Sequence, residues 1–293
     1  MSNKIAQFFP KSVQLKLTKL NQKLNAFRPY NLGGLALNQL TSNKGYSVKR
    51  NIAYGLKARQ RLDLYVCQAP ANKPLVIFVH GGAWSRGSKD DYKFLGESLT
   101  RAGYNLAVIN YHLAPEHIFP RYVTDLADSI QYLIKSADKY GICADQIALI
   151  GHSAGAFNVM SLIYHPSFIA FEGRDRIKAL IGLAGPYHFN YLGDHLSEHA
   201  FDKAVNFKAV MPYYFVEKNN IQHYIFLADQ DTLVKDHNSE EMHQALLAVE
   251  NHSQLIRVPR TGHVSIMATT ATLFGRLFKT RSLILKVLEE SFK

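Results

Sequence analysis

Ile147-Ala148-Leu149-Ile150-Gly151-His152-Ser153-Ala154-Gly155 decides how this chain is organised. Ile147–Ile150 reads as a strand buried on both faces, and residues 154–165 read as a helix. Between them stands a serine flanked by glycines. Glycines at those places permit a tight, strained strand-to-helix turn that lifts the serine Oγ off the sheet and sets a helix N-terminus against developing negative charge. A glycine-rich turn without chemistry is the competing reading of these residues, and the strand before and helix after weigh against it.

Working outward, Leu75-Val76-Ile77-Phe78-Val79 is a second continuous apolar run and predicts another buried strand, preceded by strands around 48–54 and 61–67. A helix near 90–102, a strand at Asn105–Asn110 and a helix carrying Val123, Leu126, Ile130, Leu133 and Ile134 lie between the two runs. Beyond the serine come strands at Ala179–Leu183, Tyr224–Leu227 and Leu255–Val258, a helix at 238–250 and a C-terminal helix. Such alternation predicts the α/β class, a mostly parallel central sheet with helices on both faces. Residues 186–220 are too long for an ordinary connection even with a helix of their own. Their many aromatics, Tyr187 and Tyr213 among them, read either as a pocket wall or cap or as ordinary ring packing.

A serine hydroxyl needs a base, and the base an orienting acid. Asp229 and Asp231 lie just past the strand at 224–227, and His263 just past the strand at 255–258. In a parallel sheet all such loops meet at one edge, so Ser153, Asp231 and His263 can converge. Asp231 is preferred to Asp229 because the residue nearer the strand shapes the turn while the later one can reach across to an imidazole. For each carboxylate the bland reading is a solvated loop residue, and for one of 13 histidines a surface or core position. After the 75–79 strand, His80-Gly81-Gly82-Ala83-Trp84 offers small consecutive residues whose N–H groups can converge on one point. Gly82, Ala83 and Ala154 are therefore the candidate oxyanion-hole donors. Trp84, with Tyr187 and Tyr213, is a candidate for the substrate pocket, although Trp84 reads more readily as packing near the site than acting in it.

The 293 residues are 47% hydrophobic and 19% charged, enough for a large core and against disorder. Net charge is +11, but it is unevenly placed. Twelve Lys and Arg and no acidic residue precede Asp63, whereas the remainder holds 22 basic and 23 acidic residues. The basicity is thus concentrated toward the N-terminus, where an extension, residues 1–46, precedes a domain at 47–293, and no nucleic-acid reading motif accompanies it. Val13, Leu17, Leu20, Leu24 and Phe27 form one face of a helix in that extension. The stripe predicts a lid or brace on the body; the competing readings are an interfacial helix touching a membrane through residues 1–30, and a cleaved targeting segment. Two cysteines cannot build a disulfide framework, no leader pattern opens the chain and no apolar run is long enough to span a bilayer, which points to the cytoplasm.

Taken together, HGGAW at 80–84 with Gly87-Ser88-Lys89, Tyr111-His112-Leu113-Ala114-Pro115-Glu116 through Pro120 with Asp125, and GHSAG at 151–155 resemble the α/β-hydrolase esterases related to hormone-sensitive lipase. The similarity runs over about residues 47–265 and is to the HGGxW subgroup, which includes kynurenine-formamidase-like, isoprenylcysteine-methylesterase-like and bacterial feruloyl-esterase-like enzymes. It implies an α/β-hydrolase fold and serine hydrolysis of small-molecule carboxylic esters with neither cofactor nor metal. The order Ser, Asp, His agrees with that family. His112 departs from it, standing where the family carries an arginine, and its presence predicts the loss of an internal ion pair with an acidic neighbour. The expected activity is a carboxylesterase for small to medium acyl or aryl groups. An N-formyl aryl amide hydrolase is the alternative, and a non-catalytic binding protein on the same fold the alternative of another class. Oligomeric state is not legible.

Overall fold

A computed structural model describes residues 29–68 and 73–293. The stripe from Val13 to Phe27 lies outside the described residues. Strands β1 (Tyr46–Ala53) and β2 (Arg61–Cys67) pair antiparallel, and β2 pairs antiparallel with β4 (Asn105–Ile109). Every later pairing is parallel, through β3 (Leu75–Val79), β5 (Ile147–His152), β6 (Ile177–Leu183), β7 (Gln222–Ala228) and β8 (Ser253–Val258). The order across the sheet is β1-β2-β4-β3-β5-β6-β7-β8. The runs read from the sequence as doubly covered strands, β3 and β5, are buried at every position, and so is β4.

Helices α1 (Pro29–Leu40), α2 (Lys93–Thr100), α3 (Arg121–Lys135), α4 (Ala137–Tyr140), α5 (Ala154–Tyr164), α6 (His237–Ala248), α7 (Ser265–Ala268) and α8 (Thr280–Ser291) accompany the sheet. Side chains alternate along a strand, so Leu75, Ile77 and Val79 of β3 join the core beneath α3 and α5, while Val76 and Phe78 join the core beneath α2 and α8. Val123, Leu126, Ile130 and Leu133 of α3, spaced three and four apart, are wholly buried. No described helix is long and apolar enough to cross a membrane.

Helix α1 was not apparent in the sequence, where Gly33 and Gly34 each cost a helix about 1 kcal/mol and no acidic residue opens it. Its docking explains why it forms. Leu37 is buried against the α2 side of the core. Lys93 donates through Nζ to the carbonyls of Asn38 at 3.1 Å and Thr41 at 2.8 Å, and the Asn38 side chain accepts from Phe94 N–H at 3.2 Å and donates to Asp90 O at 3.0 Å. Each helix thereby caps the other's exposed end.

The segment between β6 and β7 holds short 3₁₀ turns at Glu198–Ala200, Phe207–Ala209 and Pro212–Phe215 rather than the helix expected there. Its rings pack inward. Phe201 stacks on Tyr191 at 4.5 Å and meets Trp84 edge-on at 5.0 Å, and Phe189 lies over Trp84 at 6.4 Å. Parallel pairing brings the C-terminal ends of β3, β4, β5, β7 and β8 to one edge, where the chemistry-bearing loops gather.

Candidate active site

Ser153 begins at the end of β5 with φ +53° and ψ −121°, a conformation side chains rarely adopt. Its N–H donates to Leu183 O at 2.9 Å, tying the turn to β6. The flanking glycines are required by contact: a Cβ on Gly155 would sit 2.0 Å from Val79 O, and one on Gly151 2.3 Å from Gly155 O. Only without side chains can α5 start this close to the sheet.

His263 Nε2 lies 2.8 Å from Ser153 Oγ, and His263 Nδ1 lies 2.8 Å from Asp231 Oδ2. The other oxygen of Asp231 accepts from the N–H groups of Leu233 at 2.9 Å and Val234 at 3.0 Å. Burial pushes the Asp231 carboxyl up; the hydrogen bond and charge of His263, with the two backbone donors, outweigh it and leave the group below its ordinary range. Asp229 is exposed and accepts instead from Thr261 N–H at 3.2 Å, bracing the turn that leads to His263. The structure therefore brings Ser153, His263 and Asp231 into one hydrogen-bonded line and leaves Asp229 beside it.

The 80–84 segment abuts the serine: a Cβ on Gly81 would lie 3.0 Å from Ser153 Cβ. Gly82 at φ +123°, Ala83 at +48° and Trp84 at +55° turn the chain sharply, and Gly82 O accepts from both Ser85 and Arg86 N–H at 3.1 Å. Among the described residues, no hydrogen bond occupies the N–H groups of Gly82, Ala83 or Ala154. Neighbouring elements hold the segment. Arg59 donates to Tyr111 O at 2.6 Å and Gly87 O at 3.0 Å, Tyr111 OH donates to His80 O at 2.9 Å, and Ala114 N–H donates to Trp84 O at 2.9 Å. Just beyond it, Lys89 is 1% exposed and lies 2.9 Å from the equally buried Asp63.

His112 does not cost the fold an ion pair, contrary to the expectation from sequence. Asp125, fully buried, accepts from His112 N–H at 2.7 Å, lies 2.6 Å from His112 Nδ1 and receives Arg121 Nη2 at 2.8 Å and Gln60 Nε2 at 3.1 Å. The guanidinium comes from Arg121, one helical turn ahead of Asp125 on α3. That i, i+4 spacing was the signal available in the sequence.

Of the three residues named for the pocket, two are interior. Trp84 is 2% exposed and donates through Nε1 to Asn158 Oδ1 at 2.9 Å; Tyr187 is wholly buried, its ring over Gly182 and Gly185. A ring in the aromatic core satisfies the same composition as a ring lining a cleft, which is why sequence could not separate the two. Tyr213 stacks on His188 at 4.0 Å and lines a recess with Glu240, Glu241, Gln244, Ala245 and Ala248 of α6.

In the sequence His152 is only the variable position of the Gly-x-Ser-x-Gly motif. Its ring, 7% exposed, stands 5.2 Å from that of His263, and its Nε2 lies 2.8 Å from His263 O. A carbonyl only accepts, so Nε2 carries the proton. Burial pushes the His152 pKa down to about 3, and burial likewise pushes His80, beneath the glycine segment, down to about 3.

A family model described as BD-FAE matches residues 62–246. A probable isoprenylcysteine alpha-carbonyl methylesterase of Oryza sativa subsp. japonica is 33% identical over 165 residues, 54% of this chain and 40% of that protein. The kynurenine formamidase of Drosophila melanogaster is 27% identical over 157 residues, 53% of this chain and 51% of that protein. The chain thus spans roughly two fifths of the length of the first curated relatives it matches. Among solved structures, esterase B from Lactobacillus Rhamnosis superposes with a TM-score of 0.74 over 94% of each chain at 15% identity. At that identity the likeness speaks for the α/β-hydrolase fold, which is the architecture described above.

Proposed function

Because this chain belongs to the BD-FAE family, we propose that it is a serine carboxylesterase. Ser153 attacks the acyl carbonyl as His263 Nε2 takes its proton, and Asp231 holds the imidazole and stabilises its cation. The N–H groups of Gly82, Ala83 and Ala154 receive the oxyanion. His263 returns the proton to the leaving alcohol, then activates a water that releases the acid and restores the serine. The observation that carries this reading is the unbroken line from Asp231 through His263 to Ser153, with 2.8 Å at both links.

Small to medium acyl or aryl esters are the proposed substrates. The test is hydrolysis of 4-nitrophenyl acetate and butyrate with labelling of Ser153 by a fluorophosphonate; a folded protein that neither hydrolyses nor labels is not a serine esterase. The relative named as a kynurenine formamidase favours one second reading, hydrolysis of N-formyl aryl amides. Turnover of N-formylkynurenine in preference to the acetyl ester would select it.

A further inference from the structure

Positive charge is concentrated in a second part of the chain besides its beginning. From Asn251 to Leu288 the sequence carries six Lys and Arg and no Asp or Glu. Three of the six are engaged: Arg257 with Asp236 and Glu240, Lys286 with Glu290, and Arg281 with Ser98. Arg260, Arg276 and Lys279 are exposed, and none forms an ion pair among the described residues.

These cations are interleaved with exposed leucines. Between α7 and α8 the chain packs Phe274 against Phe278 at 6.2 Å and turns Leu273 and Leu277 outward, 60% and 63% exposed. Arg260 anchors the loop, donating to Leu277 O at 2.6 Å with its guanidinium over the Phe278 ring at 5.4 Å. Leu40, 73% exposed at the end of α1, faces the same groove as Leu273. Helix α1 also lies beside α7.

We propose that this face docks on a lipid bilayer containing anionic lipid. Leu40, Leu273 and Leu277 enter the boundary between headgroups and acyl chains, and Arg260, Arg276 and Lys279 meet headgroup phosphates. The pairing of the two residue types selects the occupant. Cations alone would serve any polyanion, but leucines gain nothing against a nucleic-acid backbone. A second copy would bring the same unanswered charge to its own face. The inference does not depend on the reaction.

The test is co-sedimentation of the full chain with vesicles of phosphatidylcholine alone and of phosphatidylcholine mixed with phosphatidylglycerol, at low and high salt. Binding should favour the anionic vesicles at least about tenfold and weaken with salt. Arg276→Glu with Lys279→Glu should lower partitioning at least about tenfold, and Leu273→Ser with Leu277→Ser should lower it at both salt levels, with thermal melts by circular dichroism unchanged. The proposal is overturned by failure to bind anionic vesicles, by equal binding to neutral ones, or by variants that partition like the parent, which would assign binding to residues 1–28 alone. Equal retention of parent and leucine variants on anionic vesicles and on duplex DNA would also overturn it, as a generic polyanion surface.

Discussion

His152 donates through Nε2 to the carbonyl of His263 at 2.8 Å, so the residue before Ser153 holds the loop that carries His263. The two ends of the Ser153–His263 hydrogen bond are thereby linked through a second, buried path. Misplacement of a reacting group by about 1 Å can cost on the order of 100-fold in rate.

His152 should therefore matter for turnover more than for substrate binding. His152→Phe keeps a ring without the donor and should lower kcat about tenfold or more with little change in KM, while His152→Gln, which can donate to the same carbonyl, should recover part of the loss. Steady-state kinetics of the two variants check this. Equal effects on kcat and KM, or no recovery with glutamine, would reduce His152 to packing.

On the proposed mechanism, turnover should depend on Ser153 and His263. Ser153→Ala and His263→Ala should each lower kcat by about 10⁴ to 10⁶, and Asp231→Asn should cost far more than Asp229→Asn, whose carboxylate touches Thr261 rather than the imidazole. The ranking of the two aspartate variants on 4-nitrophenyl acetate is the measurement; the reverse order would reassign the acid.

Arg121 should stabilise the fold through Asp125. The guanidinium is 36% exposed, so Arg121→Met should cost about 1–3 kcal/mol, less than the loss of a fully buried partner. Adding His112→Arg to that variant should return part of the stability, because a guanidinium at 112 would start beside the same carboxylate. Urea unfolding of the single and double variants measures both.

Acid should unfold the protein through its buried histidines. Burial pushes His80 and His152 down to about 3 and His223 to about 4, each below its ordinary 6.5. Between those values the unfolded chain binds more protons, so stability present above about pH 6.5 is lost as pH falls, each group contributing up to about 1.4 kcal/mol per pH unit. The midpoint of urea unfolding should drop between about pH 7 and about pH 4.5. A constant midpoint would contradict this account.

The strands and the edge where Ser153, Asp231 and His263 meet were legible because continuous apolar runs mark doubly covered strands and parallel pairing sends their exits to one side. Side-chain direction carries no such periodic signal. Tyr187 reads equally as a pocket wall or as ring packing and Trp84 more readily as packing, and both fill the core. Helix α1 stayed hidden because what supports it is distant in sequence, the caps supplied by Lys93 and Phe94. The Arg121–Asp125 pair, in contrast, is marked in the sequence by its i, i+4 spacing.

The positive φ of Ser153, +53°, has a consequence for selection. A non-glycine residue in that conformation stores on the order of 1–3 kcal/mol of strain, which glycine would release. Ser153→Gly should thus raise the melting temperature if relief of strain exceeds the lost hydrogen bond to His263. A search for heat-resistant variants scored on folding alone would then favour a protein that cannot react, and only a screen that also reads chemistry would retain the serine.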